Sequence, residues 1–270
     1  DSLDTEESHA GGNKPVTNAG REASRRAKEY FNCDEEGLPR GNVRVDIEFD
    51  TFDPEHICLD RHRGNYGRLL CYVHKDRENY NVKTVREGWS PYFVKYGRSR
   101  LYHEELLTAE AEAQSTARMI WDPQTNAVGS SRDYGALIPW WHLRDSVVVD
   151  YRDQGLQAGV LSVRLDYADI TEAANNEDQV TVLCDLQGGI SLWPGNGALI
   201  FAGSPSHKFN LWIPDRTSDS AQTILRLIEK RYAGHGRGYL YVSGQTKLYN
   251  GKPEILLNDA AQLADVPPGV

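Results

Sequence analysis

Residues 1–8 read DSLDTEES, and the tetrad Asp4-Thr5-Glu6-Glu7 packs acids and a hydroxyl into consecutive positions. Oxygen groups this dense can hold a hard divalent cation and activate a water. Chain ends are poorly ordered unless tied down, whereas a reacting group must sit close to its productive geometry. Two readings of the tetrad are open. It is either an exposed acidic terminus or part of a site whose remaining groups lie downstream.

The sequence that follows has the pattern of a folded domain. After the Gly/Pro/Asn-rich loop HAGGNKPVTNAG (9–20), the segment GREASRRAKEYF (20–31) places Ala23, Ala27 and Phe31 at helical spacing and predicts an amphipathic helix. VRVDIEFD (43–50) alternates apolar and charged residues, as a half-buried strand does. YGRLLCYVH (66–74) reads as a second strand with DRHRGN (60–65) as its charged lead-in. NVKTVREGW (81–89) predicts a short helix, and LYHEELLTAEAEAQSTARMIW (101–121) a long one ending near Trp121.

Turn formers in DPQTNAVGSSRDYG (122–135) then interrupt the periodicity and mark a domain boundary. IPWWHLRDSVVVDYRDQG (138–155) predicts a helix with Pro139 in its first turn. Trp140 and Trp141 are expected to anchor that helix on one of the domains, and a further helix is expected around Tyr167 to Asn175. From Gln179 strands dominate: QVTVLCDL, ISLWP, GALIFAG and HKFNLWIP, then the helix SAQTILRLIEKRY, then a closing hairpin turned at Asn250-Gly251. That order suits a small OB-type barrel. The expected organisation is a first domain over 1–123, a partly helical connector over 124–176 and a second domain over 177–270.

Composition limits the function classes. The 270 residues include 30 basic and 39 acidic side chains, a formal net charge of -9. A protein that grips nucleic acid mainly by charge is usually basic, so tight non-specific binding is not expected of the whole chain, although a local patch can be basic. No stretch approaches the ~20 apolar residues of a membrane-spanning helix. Cys33, Cys58, Cys71 and Cys184 show no zinc-ligand spacing; Cys71 reads as core, and a Cys33–Cys58 disulfide is left open. The eight histidines form no H-x-x-x-H pair.

Several short motifs, in order, resemble the staphylococcal nuclease family of calcium-dependent phosphodiesterases over the first ~120 residues. The family's D-T-x-E appears as Asp4-Thr5-Glu6-Glu7 and its helix opening G-x-E-A-S as Gly20-Arg21-Glu22-Ala23-Ser24. Its I-x-V-x-F-D strand is similar to VRVDIEFD, and its Y-G-R to Tyr66-Gly67-Arg68. V-R-x-G matches Val85 to Gly88, and the last helix matches His103 through Trp121, with slack in spacing between Gly88 and His103. Each piece alone is weak; their order makes the resemblance strong.

The resemblance implies an α+β, mostly β fold: an OB barrel lacking its first two strands, joined to a second small OB-like barrel. It implies Ca²⁺ as cofactor, with Asp4 a metal ligand through its carboxylate and Thr5 through its carbonyl. Glu7 is the expected general base, or at least orients the attacking water. Arg68 is the expected bidentate partner of phosphate oxygens, which a lysine cannot copy. Tyr96 is expected against the nucleotide. Against these stand plainer roles: a surface ion pair for Arg68, packing for Tyr96. The family's first two strands supply a second metal-binding aspartate and a phosphate-binding arginine, at positions before Asp1. The expectation is that these strands exist as a separate, complementing N-terminal fragment or have been cut away.

The implied partner is DNA or RNA as substrate, and the implied location is secreted or at the cell envelope. In the second domain, SGQTKLYNGKPEILLND resembles the closing hairpin of nucleic-acid-binding OB domains. Lys247, Tyr249 and Lys252 are its candidate contacts to a single strand. Trp193, Phe209 and Trp212 are either base platforms or, the favoured reading, barrel core, while His207 and Lys208 read as ordinary turn-end residues. The alternative to a nuclease is a catalytically inactive nuclease-fold protein that binds nucleic acid or protein as a scaffold.

Overall fold

The computed structural model describes residues 1–11, 14–64, 67–126, 132–186, 189–234 and 236–269. Gly12 and Asn13 of the first loop, Tyr66 of the Tyr-Gly-Arg motif and residues 127–131 of the predicted boundary lie outside the described residues. Contacts divide the chain into one unit of Asp1–Arg63 with Leu69–Trp141 and a second of Gly64–Arg68 with His142–Val270.

In the first unit, helix α1 (Asn18–Tyr30) starts where the Thr17 hydroxyl accepts from the Gly20 amide at 2.9 Å, an N-cap. Its buried face is Ala19, Gly20 and Ala23. Strand β1 (Asp46–Glu48) is shorter than VRVDIEFD predicts. It pairs only with β2 (Tyr72–Lys75), and Val45 and Ile47 stay exposed, so an alternating pattern there does not mark a buried face. Helix α2 (Glu55–Arg61) lies between them in sequence. Strand β2 turns through Asp76 and Arg77, at φ 53° and 68°, into β3 (Glu78–Asn79). Two positive φ values in a two-residue loop are the type I′ geometry that follows strand twist. Asn79 then caps α3 (Tyr80–Arg86) by accepting from the amides of Asn81 and Val82.

Helix α4 (His103–Ser115) ends well before Trp121. Arg118 crosses so close to Gly88 that a Cβ there would lie 2.5 Å from the Arg118 carbonyl oxygen, and the Ile120 amide donates to Gly88 O at 3.1 Å. Ala117 and Met119 take φ of 48° and 42° to make that crossing, which a continuous helix cannot do. A short α5 (Pro123–Asn126) follows. Helix α6 (Tyr134–Asp150) starts earlier than predicted and holds Pro139 inside it. Its start is set by Asp133, whose carboxylate accepts from the Ala136 amide at 3.1 Å. The core of this unit gathers Tyr72, Val82, Val85, Leu106, Ile120 and Trp141. Trp141 meets Phe93 edge-on at 4.9 Å, the anchoring expected of the tryptophan pair.

The second unit is built on a sheet ordered β4-β5-β9-β10-β8-β7-β6, with β11 also on β9. These are β4 (Leu161–Ser162), β5 (Gln179–Asp185), β6 (Ile190–Leu192), β7 (Ala198–Phe201), β8 (Asn210–Ile213), β9 (Tyr239–Tyr249), β10 (Lys252–Leu256) and β11 (Leu263–Ala264). Pairing is parallel at β4–β5 and β8–β10 and antiparallel at the other joins. The β9–β10 hairpin turns at Asn250 and Gly251, both at positive φ, as an Asn-Gly pair favours. Helices α7 (Tyr167–Asn176) and α8 (Asp219–Leu227) complete the unit. Ile170, Ile224, Phe209, Leu211, Leu240 and Ile255 share one core. Arg144 is buried elsewhere in the unit, with its guanidinium 3.0 Å from Asp185 and 4.1 Å from the centre of the Tyr239 ring.

The fold is thus mixed α+β and richer in helix than expected. Among the described residues the strands form open sheets, not closed barrels: in the first unit they are only two to four residues long, and in the second β4 and β6 are edge strands that do not pair with each other. All four cysteines are free, so Cys33 and Cys58 are not bridged. No described helix is long and apolar enough to cross a membrane.

Candidate active site

The acidic tetrad is tied into the first unit by its backbone. Ser2 O accepts from the Phe93 amide at 3.1 Å, Leu3 pairs with Tyr92, and the Asp4 amide donates to Ser90 Oγ at 3.0 Å. Glu7 forms a bridge to Val16, and its carbonyl accepts from the Thr17 amide at 3.1 Å. Helix α1 then packs directly on the Glu6-Glu7 peptide. A Cβ at Gly20 would lie 2.2 Å from Glu7 O and 2.7 Å from Glu6 O. The glycine of the G-x-E-A-S motif is therefore explained by close backbone approach.

Arg132, which the sequence reading did not single out, organises the side chains. Its guanidinium donates to Asp4 Oδ2 at 2.5 Å, Asp4 O at 3.1 Å and Thr5 O at 2.8 Å, and lies 3.5 Å from Glu7 Oε1. Only 10% of its side chain is exposed, so these contacts are screened less than surface pairs. Lys14 adds a second, exposed cation 3.5 Å from Asp4 and 3.7 Å from Glu7. Glu6 points inward, 4% exposed, accepting from Tyr134 Oη at 3.1 Å and the Arg132 amide at 3.3 Å. Burial, and then the Glu6 charge, push the Tyr134 phenol far above its ordinary value; the bond therefore runs from a protonated phenol to the carboxyl group. Glu6 Oε2 has no hydrogen-bond partner among the described residues.

Both groups that the resemblance assigns to calcium, the Asp4 carboxylate and the Thr5 carbonyl, thus face one guanidinium. An all-oxygen set of carboxylate and carbonyls suits a hard cation in kind. A bound ion and Arg132 compete for the same lone pairs. Among the described residues no group of three His, Cys, Asp or Glu side chains is placed to hold a metal, so any metal there draws on carbonyl oxygens.

Arg68 is exposed, and its carbonyl accepts from the Gly64 amide at 2.8 Å. By its contacts Arg68 belongs to the second unit, while the tetrad belongs to the first. Tyr96 is half-buried and edge-on to Phe93 at 5.7 Å, with Lys95 Nζ 5.2 Å from its ring centre and 5.2 Å from that of Trp140. In the second unit, Lys247 is 3.3 Å from the buried carboxylate of Glu254, its cross-strand neighbour. Tyr249 is 47% exposed and Lys252 half-buried. Phe209 lies in the core, whereas Trp193 is partly exposed and edge-on to Trp212 at 5.9 Å.

Residues 42–123 match the family described as staphylococcal nuclease homologue. Arg68 and Tyr96 fall inside that segment and the tetrad ahead of it. Endonuclease YncB of Bacillus subtilis (strain 168) is 29% identical over 109 residues, 40% of this chain and 44% of that protein. Thermonuclease of Staphylococcus hyicus is 29% identical over 110 residues, 40% of this chain and 53% of that protein. SPbeta prophage-derived endonuclease YokF of Bacillus subtilis (strain 168) is 29% identical over 109 residues, 40% of this chain and 31% of that protein. The chain spans about half the length, or less, of these relatives. Over residues 42–123, then, the chain carries a segment similar to the staphylococcal nuclease family.

Proposed function

We propose that this chain is a calcium-dependent phosphodiester hydrolase acting on DNA or RNA. The observation that carries the reading is the matched nuclease segment, whose similar relatives are named as endonucleases and a thermonuclease. The geometry ahead of that segment supports it, because Asp4, Thr5 and Glu7 all present oxygen to one cationic point.

Cleaving a phosphodiester needs a nucleophilic water, a base for its proton and positive charge where the phosphorus oxygens gain negative charge. Calcium, when bound at Asp4 and Thr5, supplies polarisation of a phosphate oxygen. Glu7 takes the proton: its side chain is 41% exposed, within reach of water, with Arg132 and Lys14 3.5 Å and 3.7 Å from its Oε1. The resemblance alone gives Arg68 the pairing with phosphate oxygens through its fork of N–H groups; its own contacts belong to the second unit. Tyr96, backed by Phe93, offers a rigid ring to the nucleotide. The second unit is an accessory domain in this reading.

The scaffold alternative has one observation in its favour: Arg132 already fills the oxygens that a metal needs. The two readings separate on a direct assay. Labelled single-stranded DNA and RNA are incubated with the protein in calcium and in EDTA. Cleavage confined to the calcium arm supports the hydrolase; intact substrate in both arms leaves the scaffold.

A further inference from the structure

The second unit holds a cleft of about 640 Å³ lined by Leu143 and Leu227 and by four cations, Arg226, Lys230, Arg231 and Arg237. Helix α8, which carries Arg226, continues into a wider turn over Ile228–Tyr232 that carries Lys230 and Arg231. Asp265 contacts two of the four cations. Asp265 accepts from Arg231 Nε at 3.0 Å and Tyr232 Oη at 2.7 Å, and its carbonyl accepts from Arg237 Nη2 at 2.8 Å. This pins Arg231 and Arg237 at the wall. Arg226 and Lys230 have no ion-pair partner among the described residues.

Among the described residues the ion pairs of these four cations all run to Asp265, in a chain of net charge -9. Like charges gathered in a concave site raise the local concentration of anions. The leucines give the same cleft an apolar floor. Such a site matches a polymer whose charge repeats along an edge and whose remaining surface is apolar. The phosphates of a duplex would meet the rim only, whereas an unpaired strand can lay phosphates on the cations and sugar or base faces on the leucines.

We infer that this cleft holds the sugar–phosphate backbone of a single-stranded nucleic acid. The inference rests on the proposed nuclease reading only in choosing nucleic acid among polyanions. It also moves the binding surface away from the Asn250-Gly251 hairpin, where Lys247 is engaged by Glu254.

The test is fluorescence anisotropy of the full chain with a fluorescein-labelled single-stranded oligodeoxynucleotide, in EDTA, over a series of salt concentrations. Arg226→Gln with Lys230→Gln should weaken binding about tenfold at low salt. It should also make the log–log salt slope shallower by about 1.4, from two lost contacts at ~0.7 each. Lys247→Gln with Lys252→Gln should leave both unchanged, and circular dichroism should confirm that each variant is folded. An unchanged slope in the Arg226/Lys230 variant overturns the inference. So does displacement of the oligonucleotide by inorganic phosphate at equal phosphate concentration, which assigns the cleft to isolated phosphate. Binding of phosphatidylglycerol vesicles in preference to oligonucleotide overturns it as well. Since EDTA excludes cleavage, failure here leaves the nuclease reading standing, and a protein that binds in this way but never cleaves in calcium refutes the nuclease reading alone.

Discussion

Substituting Gly20 by alanine perturbs the tetrad without touching a charged group. The added Cβ would stand 2.2 Å from Glu7 O, whereas ordinary contact begins near 3.4 Å, so α1 and the Glu6-Glu7 peptide must separate by roughly 1.2 Å. Both sides of the contact are backbone, so no side chain can rotate away. Such overpacking costs about 1–3 kcal/mol, offset by about 0.8–1 kcal/mol from the better helix propensity of alanine. With backbone on both sides the upper part of that range applies, leaving a net loss of about 1–2 kcal/mol. Urea denaturation should show a lower midpoint with an unchanged slope. The same shift stretches the 3.1 Å bond from the Thr17 amide to Glu7 O and displaces Glu7. A misplacement near 1 Å can cost about 10²-fold in rate, so cleavage should fall far more than the folded fraction does. A Gly20→Ala protein with wild-type or higher stability and an undiminished rate would refute the close packing and the role it gives this helix.

Arg132→Gln should free Asp4 Oδ2 and Thr5 O and tighten calcium binding about tenfold by isothermal titration calorimetry; weaker binding would show that the guanidinium supports the site instead of competing for it. Gly238→Ala should destabilise the second unit by about 1–2 kcal/mol from the φ of +75° alone, and more because the new Cβ would meet Arg144 Nη1 at 2.0 Å. The measurement is urea denaturation, with no change as the contradicting result. The Asp265 carboxyl is held down to about 2 from an ordinary 3.8, first by its hydrogen bond from Arg231 and then by that from Tyr232. A depressed acid stabilises the fold above its unfolded pKa and loses that contribution as pH falls to its folded value. Asp265→Asn should therefore be less stable than wild type above about pH 4, the gap closing between pH 3.8 and about 2; a gap independent of pH would exclude the ion pair as its source.

What the sequence made legible was largely local. The Ala23 stripe and the Asn250-Gly251 turn act over a few residues, and each leaves a residue-type signature. Gly20 was visible as a motif position, and its reason, the approach to Glu7 O, appeared only with the packing. Arg132 left no local mark: it sits among turn formers and reaches residues more than 120 positions earlier, a distance no periodicity spans. The end of α4 was hidden for a similar reason, since it is the docking of Arg118 on Gly88 that breaks the helix. The turn at Asp76-Arg77 carries no glycine or asparagine to announce its positive φ values. The neutralisation of Lys247 was readable in principle. A two-residue turn at 250–251 fixes the hairpin register and sets Glu254 opposite Lys247.

The central claim, that Glu7 removes the proton from the attacking water, is tested most directly by the single-turnover cleavage rate of Glu7→Gln against wild type at saturating calcium and enzyme. Glutamine keeps the shape and the contact to Arg132 but cannot accept the proton, so the rate should fall about 10²–10⁴-fold with oligonucleotide affinity unchanged. A variant that cleaves at the wild-type rate would contradict the account.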